Sequence, residues 1–442
     1  MKKNQLARNM FIGMICGLVV GGSFLFLREN LLANGNASLW ATINNLLFQD
    51  ISQEGATQAV GLLYIVGQLF VNALQIIIVP MVFTSIVIAM CRITDTKKLG
   101  RISYKTIGIF ALTGVIGIIF AGIIGMTVYE MGLFNVSIDG VAAQAGTTGS
   151  NPLNIFLGII PNNLMTAFSS NGKVLSVVFI AVVIGFCINV LDGKVTILKK
   201  ICEEVNEIIT TFLTFVVTKF GPIAIFALLT RTFAIYGIEH LRPALTYVVT
   251  TVFCLLAYLI FGYAIYIATM AKLNPIPYLK KITKVSVFGF STSSSAATLP
   301  MNIQTTVEEL GVQDEVASFV LPLGMTVNMN GTAIMQVIAT IFIAACAGYE
   351  INFISIMVIG LLALIASVGT PAAPGAGAVI LFTVLSGMGF TNDAAILAYS
   401  LILAINRPIE MLVTSLNVVG DSTTAIIVSK SENMFDESIY NA

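Results

Sequence analysis

Long apolar runs, separated by short polar connectors, fill most of this 442-residue chain. A membrane-spanning helix needs about 20 predominantly apolar residues, and eight segments approach or exceed that length. They cover approximately residues 10–27, 57–91, 102–130, 153–191 (with a break), 194–236, 241–271, 313–348 and 391–429. The pattern predicts an all-α polytopic membrane protein, in which the longer helices are tilted or extend beyond the bilayer.

Two further apolar segments are interrupted at their centres by residues that weaken helices. Residues 285–303 have a serine-rich centre, and residues 361–383 contain Gly369, Pro371, Pro374, Gly375 and Gly377. Non-helical backbone at membrane depth occurs where protein or a water-filled cavity satisfies its polar groups. Each segment is therefore predicted to be a re-entrant helical hairpin, which enters the membrane, turns and returns.

Each predicted hairpin precedes a helix that contains Asn-x-x-Gly, at Asn328–Gly331 and at Asn417–Gly420. This weak internal repeat is typical of transporters built from inverted repeats around a central site. The first of these helices contains the polar stretch GMTVNMNGTA at residues 324–333. Because unpaired polar groups are costly in hydrocarbon, this stretch is predicted to be an unwound turn in the middle of the membrane.

The last helix carries four polar residues, Asn406, Glu410, Asn417 and Asp421, at spacings of four, seven and four. These spacings place them along one helix face. Carboxylates within a membrane helix indicate a functional site, and carboxylate and amide oxygens together suit a hard cation. A purely structural alternative pairs Glu410 with Arg407 and places Asp421 near the cytoplasmic end.

The N-termini of the hairpin helices present free N–H groups that favour a carboxylate. Together with the oxygens of the last helix, they predict a mid-membrane site for an anionic group and cations, as in a secondary transporter. No nucleophile–base pair or metal-binding spacing appears among the six cysteines and the single histidine. We therefore expect neither an enzyme nor a cofactor.

Composition agrees with a membrane protein, since 57% of the residues are hydrophobic, 10% are charged and the net charge is zero. The mean hydropathy is +0.94, and nothing in the charge balance suggests nucleic acid. Lys and Arg cluster before the first predicted helix and after the second, fourth and sixth. Because positive charge marks the cytoplasmic side, both termini are predicted to be cytoplasmic, in a plasma (inner) membrane. The N-terminal run is interpreted as a first membrane helix and not as a signal peptide.

Four motifs resemble those of the dicarboxylate/amino acid:cation symporter family, the glutamate-transporter homologues. They are STSSSAATLP at 291–300, LPLGMTVNMNGTA at 321–333, SVGTPAAPGAGAV at 367–379 and NVVGDSTTA at 417–425. The resemblance implies eight transmembrane helices, two re-entrant hairpins and a homotrimer that works by an elevator mechanism. It further implies scaffold segments at residues 1–101 and 131–236, and a transport domain formed by residues 102–130 and 237–442.

The resemblance also implies the site residues. Ser295 and Asn417 would bind the substrate's α-carboxylate, Glu410 with Thr414 its amino group, and Pro374–Gly375 would close the gate. The implied substrate-binding set is Ser294, Ser295, Thr332, Pro374, Gly375, Glu410, Val413, Thr414 and Asn417. The implied Na⁺ ligands, mostly backbone oxygens, belong to Gly324, Asn328, Asn417 and Asp421 in one site, and to Thr326, Met329, Ser367 and Thr370 in a second.

Members of the family that carry acidic substrates have an arginine at one of two positions, which are Val413 and Ser293 here. An unpaired buried carboxylate is costly, so we expect a neutral amino acid as substrate. Arg407 is expected to lie on a different face of the last helix. The alternatives left open are an acidic amino acid or C4-dicarboxylate carried with Arg407 or another group as the missing cation, cystine as the substrate, and a channel-like protein.

A third Na⁺ site of the family uses an aspartate where this chain has Asn330. The other ligand positions of that site correspond to Phe110, Thr113 and Gly114, so two further oxygen ligands are missing. Without a carboxylate, the site loses most of the attraction that would offset the cost of dehydrating Na⁺. We therefore expect that this site is lost and that fewer than three Na⁺ are coupled to transport.

Overall fold

The computed structural model describes residues 3–52, 56–92, 99–134, 159–169, 173–191, 193–236, 241–368, 370 and 375–442. Within this part of the chain, the regular elements are helices, accompanied by one isolated antiparallel bridge between Val312 and Phe435. The prediction of an all-α protein is confirmed.

The helices are numbered here in chain order. Their bounds are α1 Lys3–Ala33, α2 Ala37–Leu47, α3 Leu62–Arg92, α4 Leu99–Glu130, α5 Leu164–Phe168, α6 Val174–Val190, α7 Ile197–Phe215, α8 Gly221–Tyr236, α9 Leu241–Ala257, α10 Tyr263–Tyr266, α11 Pro275–Thr292, α12 Ser295–Glu308, α13 Asp314–Val327, α14 Asn330–Cys346, α15 Phe353–Val368, α16 Ala376–Met388, α17 Asp393–Ile405, α18 Arg407–Ser431 and α19 Glu437–Asn441. Three short π-helical turns accompany these helices. Val216–Phe220 joins α7 to α8, Tyr258–Gly262 joins α9 to α10, and Ile267–Ala271 extends α10.

Seven helical segments of the described residues are long and apolar enough to cross a membrane. They correspond to seven of the eight predicted spans, and the exception is the broken span 153–191. Part of that span lies outside the described residues, and its two described helices, α5 and α6, have 5 and 17 residues. The protein is therefore a multi-pass membrane protein.

A glycine stripe lets α1 pack closely against α8. A Cβ atom on Gly13 would lie 2.5 Å from the carbonyl oxygen of Pro222, and one on Gly17 would lie 2.9 Å from the Cβ of Leu229. Small residues four apart allow this close approach of backbones in membrane helices. The stripe fixes the first helix to the part of the bundle that was predicted to be scaffold.

Both predicted hairpins are present. In hairpin 1, α11 and α12 meet at Ser293–Ser294, and Ser293 adopts a left-handed conformation with φ of 49°. In hairpin 2, α15 and α16 pack together and α16 begins after Gly375, which has φ of 87°. Residues 369 and 371–374 of its tip, including Pro374, lie outside the described residues. Two packed helical halves thus replace an uninterrupted span in each hairpin.

The polar stretch 324–333 interrupts a buried helix, as predicted. α13 ends at Val327 and α14 begins at Asn330, so Asn328 and Met329 form a central break. The two helices are almost entirely buried within the protein. The central break therefore lies inside the bundle, where side chains of neighbouring helices can satisfy its polar groups.

The predicted last helix, 391–429, is not continuous. It consists of α17 and α18, with Asn406 between them. Pro408, at the second position of α18, lacks an N–H and favours a helix start. The side-chain oxygen of Asn406 accepts a hydrogen bond from the hydroxyl of Tyr247 at 2.7 Å, and its carbonyl oxygen accepts one from the N–H of Glu410 at 2.9 Å. The prediction of one continuous helix over residues 391–429 was therefore wrong, whereas the shared face of Asn406 and the three later polar residues stays a prediction.

Candidate functional site

Three backbone interruptions and one long helix converge on one partly open cavity with about 350 Å³ of empty space. Hairpin 1, the central break, hairpin 2 and α18 each contribute to its wall. The lining residues are Ser293, Ser295, Met329, Thr332, Thr370, Gly375, Gly377, Glu410, Val413, Thr414 and Asn417. A concave pocket with a few convergent polar groups is typical of a small-molecule site.

Asn417 connects α18 to the start of α14. Its side-chain oxygen accepts a hydrogen bond from the backbone N–H of Gly331 at 2.8 Å. Its amide nitrogen lies 3.3 Å from the hydroxyl of Thr332 and 3.3 Å from the sulfur of Met329. One side chain therefore holds the unwound segment in place and presents an amide N–H in the cavity wall.

Asp421 lies one helical turn beyond Asn417 and is 2% exposed. Its Oδ1 accepts a hydrogen bond of 2.8 Å from the side-chain amide of Asn328. The Asn328 Oδ1 is buried without a hydrogen-bond donor. A Cβ atom on Gly324 would lie 2.4 Å from the Asp421 carboxylate, so only glycine permits this approach. The first predicted Na⁺ set is thus brought together around a carboxylate and an unpaired amide oxygen, which are ligands that a hard cation prefers.

The second predicted Na⁺ set is Thr326, Met329, Ser367 and Thr370. Met329 and Thr370 line the same cavity. The hydroxyls of Thr326 and Ser367 donate to carbonyls of their own helices, at 3.0 Å and 2.8 Å. The role of these four residues as ligands remains a prediction that rests on their backbone oxygens.

Glu410 connects α18 to hairpin 2. Its Oε1 accepts a hydrogen bond of 3.2 Å from the backbone N–H of Ala378, in the first turn of α16. Its Oε2 lies 3.6 Å from Nη1 of Arg407, one turn earlier on α18. Arg407 therefore pairs with Glu410, as the structural alternative predicted, and the i, i+3 spacing in the sequence is the signal that indicates this contact. Arg407 is absent from the cavity wall described above, because it contacts Glu410 from outside it.

Of the seven remaining predicted substrate residues, five line the cavity. Thr332, Val413 and Thr414 line the cavity, as do Ser295 and Gly375. Ser294 has a different position, because its hydroxyl caps α12 by accepting a hydrogen bond from the N–H of Ala297 at 3.3 Å. Pro374 lies outside the described residues.

Ser293 was named from the sequence only as a position at which family members carry arginine, and it was not part of the predicted substrate-binding set. Its hydroxyl is buried and has no hydrogen-bond partner. The left-handed backbone at Ser293, rather than its side-chain chemistry, turns hairpin 1 at this point. A serine beside two further serines gives no sequence signal for which of them faces the cavity.

The residues at the positions of the family's third Na⁺ site, which was predicted to be lost here, also lie together. The side-chain amide of Asn330 donates to the hydroxyl of Thr113 at 3.0 Å and lies 3.5 Å from the hydroxyl of Tyr263. A Cβ atom on Gly114 would lie 3.2 Å from the Asn330 Oδ1, and Phe110 is buried. An amide N–H donor, instead of a carboxylate, therefore faces Thr113.

Comparison with known proteins places these features in a family. A model of the sodium:dicarboxylate symporter family matches residues 6–431. The proton/sodium-glutamate symport protein of Bacillus caldotenax is 27% identical and aligns with 99% of this chain and 97% of its own length. The C4-dicarboxylate transport protein of Deinococcus deserti (strain DSM 17065 / CIP 109153 / LMG 22923 / VCD115) is 31% identical over 84% of each chain.

A third relative, the proton/glutamate-aspartate symporter of Escherichia coli (strain K12), is 28% identical and aligns with 85% of this chain and 87% of its own length. These relatives are named as transporters, and the matched residues include both hairpins, the central break and α18. The family match spans nearly all the described helices. The chain belongs to the sodium:dicarboxylate symporter family, whose members carry solutes across membranes together with cations.

Proposed function

We propose that this protein is a symporter that imports a neutral L-amino acid together with Na⁺. The observation that carries the proposal is the charge of the cavity wall. Among the described lining residues, Glu410 is the one charged side chain. A carboxylate in that wall suits a substrate ammonium group, whereas a substrate with an additional carboxylate would need a cation there.

The proposed binding mode uses opposite ends of the cavity for the two charged groups of the amino acid. Glu410 accepts from the ammonium group, with Thr414 beside it. The amide of Asn417 and the N-terminal turn of α12 at Ser295 bind the α-carboxylate, because free N–H groups at a helix start favour an anion. Val413 and Thr332 then face the substrate side chain and leave space for a small apolar or hydroxylated group.

Na⁺ provides the driving force in this proposal. Asp421, the unpaired oxygen of Asn328 and backbone oxygens near Gly324 and Asn417 form one site. Thr326, Met329, Ser367 and Thr370 supply a second. The amide at Asn330 leaves the third site without a carboxylate, so we propose that fewer than three Na⁺ accompany each substrate.

The proposed transport cycle follows the family resemblance. Residues 102–130 and 237–442 move as a transport domain against a scaffold of residues 1–101 and 131–236, within a homotrimer in the plasma membrane. Gly375 and the adjoining tip of hairpin 2 form the gate. The distribution of Lys and Arg favours cytoplasmic N- and C-termini.

Uptake by proteoliposomes tests the proposal directly. The purified protein is reconstituted, and uptake of labelled serine, alanine, threonine, aspartate and succinate is measured with inward Na⁺ or K⁺ gradients. We expect Na⁺-driven uptake of a neutral amino acid that excess aspartate does not inhibit. Aspartate or succinate uptake, without neutral amino acid uptake, would contradict the proposed substrate, and uptake unaffected by Na⁺ would contradict the coupling.

A second candidate is symport of an acidic amino acid or C4-dicarboxylate. The relatives described above are named for glutamate, aspartate and C4-dicarboxylates. Arg407 is the observation that favours it, because its guanidinium lies 3.6 Å from the cavity residue Glu410 and has buried nitrogens without hydrogen bonds. In this candidate Arg407 would turn toward the cavity and bind the substrate's second carboxylate.

A further inference from the structure

Arg407 and Glu410 form an ion pair between the start of α18 and the substrate cavity. The Nη1 of Arg407 lies 3.6 Å from Oε2 of Glu410, and the two side chains are 15% and 10% exposed. The Nε and Nη1 atoms of Arg407 are buried and make no hydrogen bond. The guanidinium therefore places a positive charge beside Glu410, although its Nε and Nη1 atoms donate no hydrogen bond that would fix it there.

The surroundings of Glu410 contain no other cation within the described residues. Tyr247 of α9 and Tyr399 of α17 are the other ionisable side chains near it. Their hydroxyls donate to Asn406 Oδ1 at 2.7 Å and to the carbonyl of Val379 at 3.3 Å. From α11 to α16, the residues that share the cavity with Glu410 are uncharged.

We propose that Arg407 is the counter-ion of Glu410 in the empty carrier, so that the carrier returns without binding a proton. This inference rests on the proposed function, in which the substrate ammonium binds Glu410 during the loaded step. After the substrate leaves, an isolated buried carboxylate would be costly. The adjacent guanidinium compensates the negative charge of Glu410, so Arg407 affects transport through its effect on Glu410.

Exchange and net uptake differ in whether the carrier crosses the membrane empty. In exchange, the carrier crosses the membrane loaded in both directions, so the substrate ammonium always accompanies Glu410. In net uptake, the carrier must return empty, and only then is Arg407 the sole cation beside the carboxylate. Loss of Arg407 should therefore impair net uptake selectively, and protonation of Glu410 should replace the missing charge.

The test compares Arg407→Met with wild type in proteoliposomes at pH 5.5, 6.5 and 7.5, using a transported neutral amino acid. For wild type we expect net uptake that changes less than about twofold across this range. For Arg407→Met we expect exchange within about threefold of wild type, net uptake reduced at least about tenfold at pH 7.5, and recovery of net uptake at pH 5.5. The tenfold loss corresponds to about 1.4 kcal/mol. Arg407→Lys retains a cation and should keep both modes and a flat pH profile.

Equal, pH-independent loss of exchange and net uptake in Arg407→Met would overturn the proposal, because it would indicate a structural role. Aspartate uptake by wild type that disappears in Arg407→Met would overturn it as well, since Arg407 would then bind substrate. If the variant fails to fold, proton movement during net uptake by wild type is measured with a pH-sensitive dye trapped in the vesicles. Proton movement coupled to net uptake overturns the proposal and its absence supports it. Failure of wild type to transport any amino acid contradicts the proposed function itself.

Discussion

Asn328 donates a hydrogen bond of 2.8 Å to Asp421 while its own side-chain oxygen remains buried and unpaired. A buried amide oxygen normally has a partner, and a bound cation would supply the one that the Asn328 oxygen lacks. The carboxylate belongs to α18 and the amide to the central break. A cation between them would therefore couple the break to the helix that carries the substrate residues.

Asp421→Asn should lower the apparent affinity for Na⁺ in uptake assays by at least about tenfold, or about 1.4 kcal/mol. The substitution preserves shape but removes the charge that compensates a dehydrated cation. Uptake is measured as a function of Na⁺ concentration at fixed substrate. Asp393→Asn, at an exposed position in the first turn of α17, is the matched control and should behave like wild type. An unchanged Na⁺ dependence in Asp421→Asn would remove this residue from the cation site.

Gly420→Ala should destabilise the protein by about 1–3 kcal/mol, as expected for overpacking. The new Cβ would lie 2.4 Å from the hydroxyl oxygen of Tyr263 and 2.7 Å from the amide nitrogen of Asn328. Thermal unfolding of the detergent-solubilised protein measures the effect. Gly108→Ala is a suitable control, because a Cβ there meets no atom within 4 Å and alanine favours a helix. Equal stability of the two variants would show that the contact at Gly420 relaxes without cost.

Much of the fold follows from local chemistry that the sequence displays. Apolar length indicates the spans, and glycine, proline and serine within two apolar segments indicate the hairpins. The break at Asn406 was missed because a proline two residues later was not used as a helix-start signal, although Pro408 is visible in the sequence. In this region the preference of proline for the first turn of a helix indicates the break, whereas the apolar pattern wrongly predicted one continuous helix.

The candidate site was less accessible from the sequence. The contact of Glu410 with Ala378 joins residues 32 positions apart, and that of Asn417 with Gly331 joins residues 86 apart. Such pairs depend on how helices pack, and the hydrophobic pattern does not contain that information. The family resemblance supplied Glu410 and Asn417, whereas the unpaired hydroxyl of Ser293 and the choice of Arg407 as the partner of Glu410 required the structure.

Asn330→Asp should make uptake more steeply dependent on Na⁺ and slower at low Na⁺ concentration. The new carboxylate would face the hydroxyl of Thr113, which now accepts a hydrogen bond from the Asn330 amide. A buried carboxylate without a cation is costly, and Na⁺ would relieve that cost by binding. The Hill coefficient for Na⁺ is the quantity to measure. Asn433→Asp, beyond the end of α18, serves as control, and an unchanged Hill coefficient in Asn330→Asp would contradict a vestigial site.

Glu432→Gln should lower the Tm at pH 7, with a difference from wild type that narrows below about pH 4.5. Glu432 accepts hydrogen bonds from Lys105 and from Arg101, the latter at 2.8 Å. The Lys105 hydrogen bond, with that of Arg101, holds the pKa of this carboxyl below its usual value of 4.5, against a smaller effect of burial.

Because the folded-state pKa is lowered, Glu432 stabilises the protein above its unfolded-state pKa, and this stabilisation is lost as the pH falls through the folded-state pKa. Tm values measured between pH 3.5 and 7.5 in detergent test the sign. Glu308→Gln, at an exposed position on α12, should show a smaller difference at pH 7. A Tm difference for Glu432→Gln that grows on acidification would contradict the argument.

Val413→Arg should shift substrate selection from neutral to acidic amino acids. Val413 lines the cavity one turn beyond Glu410, so a guanidinium there could form a bidentate pair with a substrate carboxylate. Hydrogen bonds to charged groups contribute about 1.5–3 kcal/mol, which corresponds to roughly 10–100-fold in affinity. We therefore expect aspartate to inhibit uptake of the neutral substrate at least about tenfold more strongly than in wild type. Val413→Met, similar in length but uncharged, separates the effect of charge from that of volume. Should both variants lose neutral uptake and neither bind aspartate, Val413 would limit the size of the cavity without selecting the charge of the substrate.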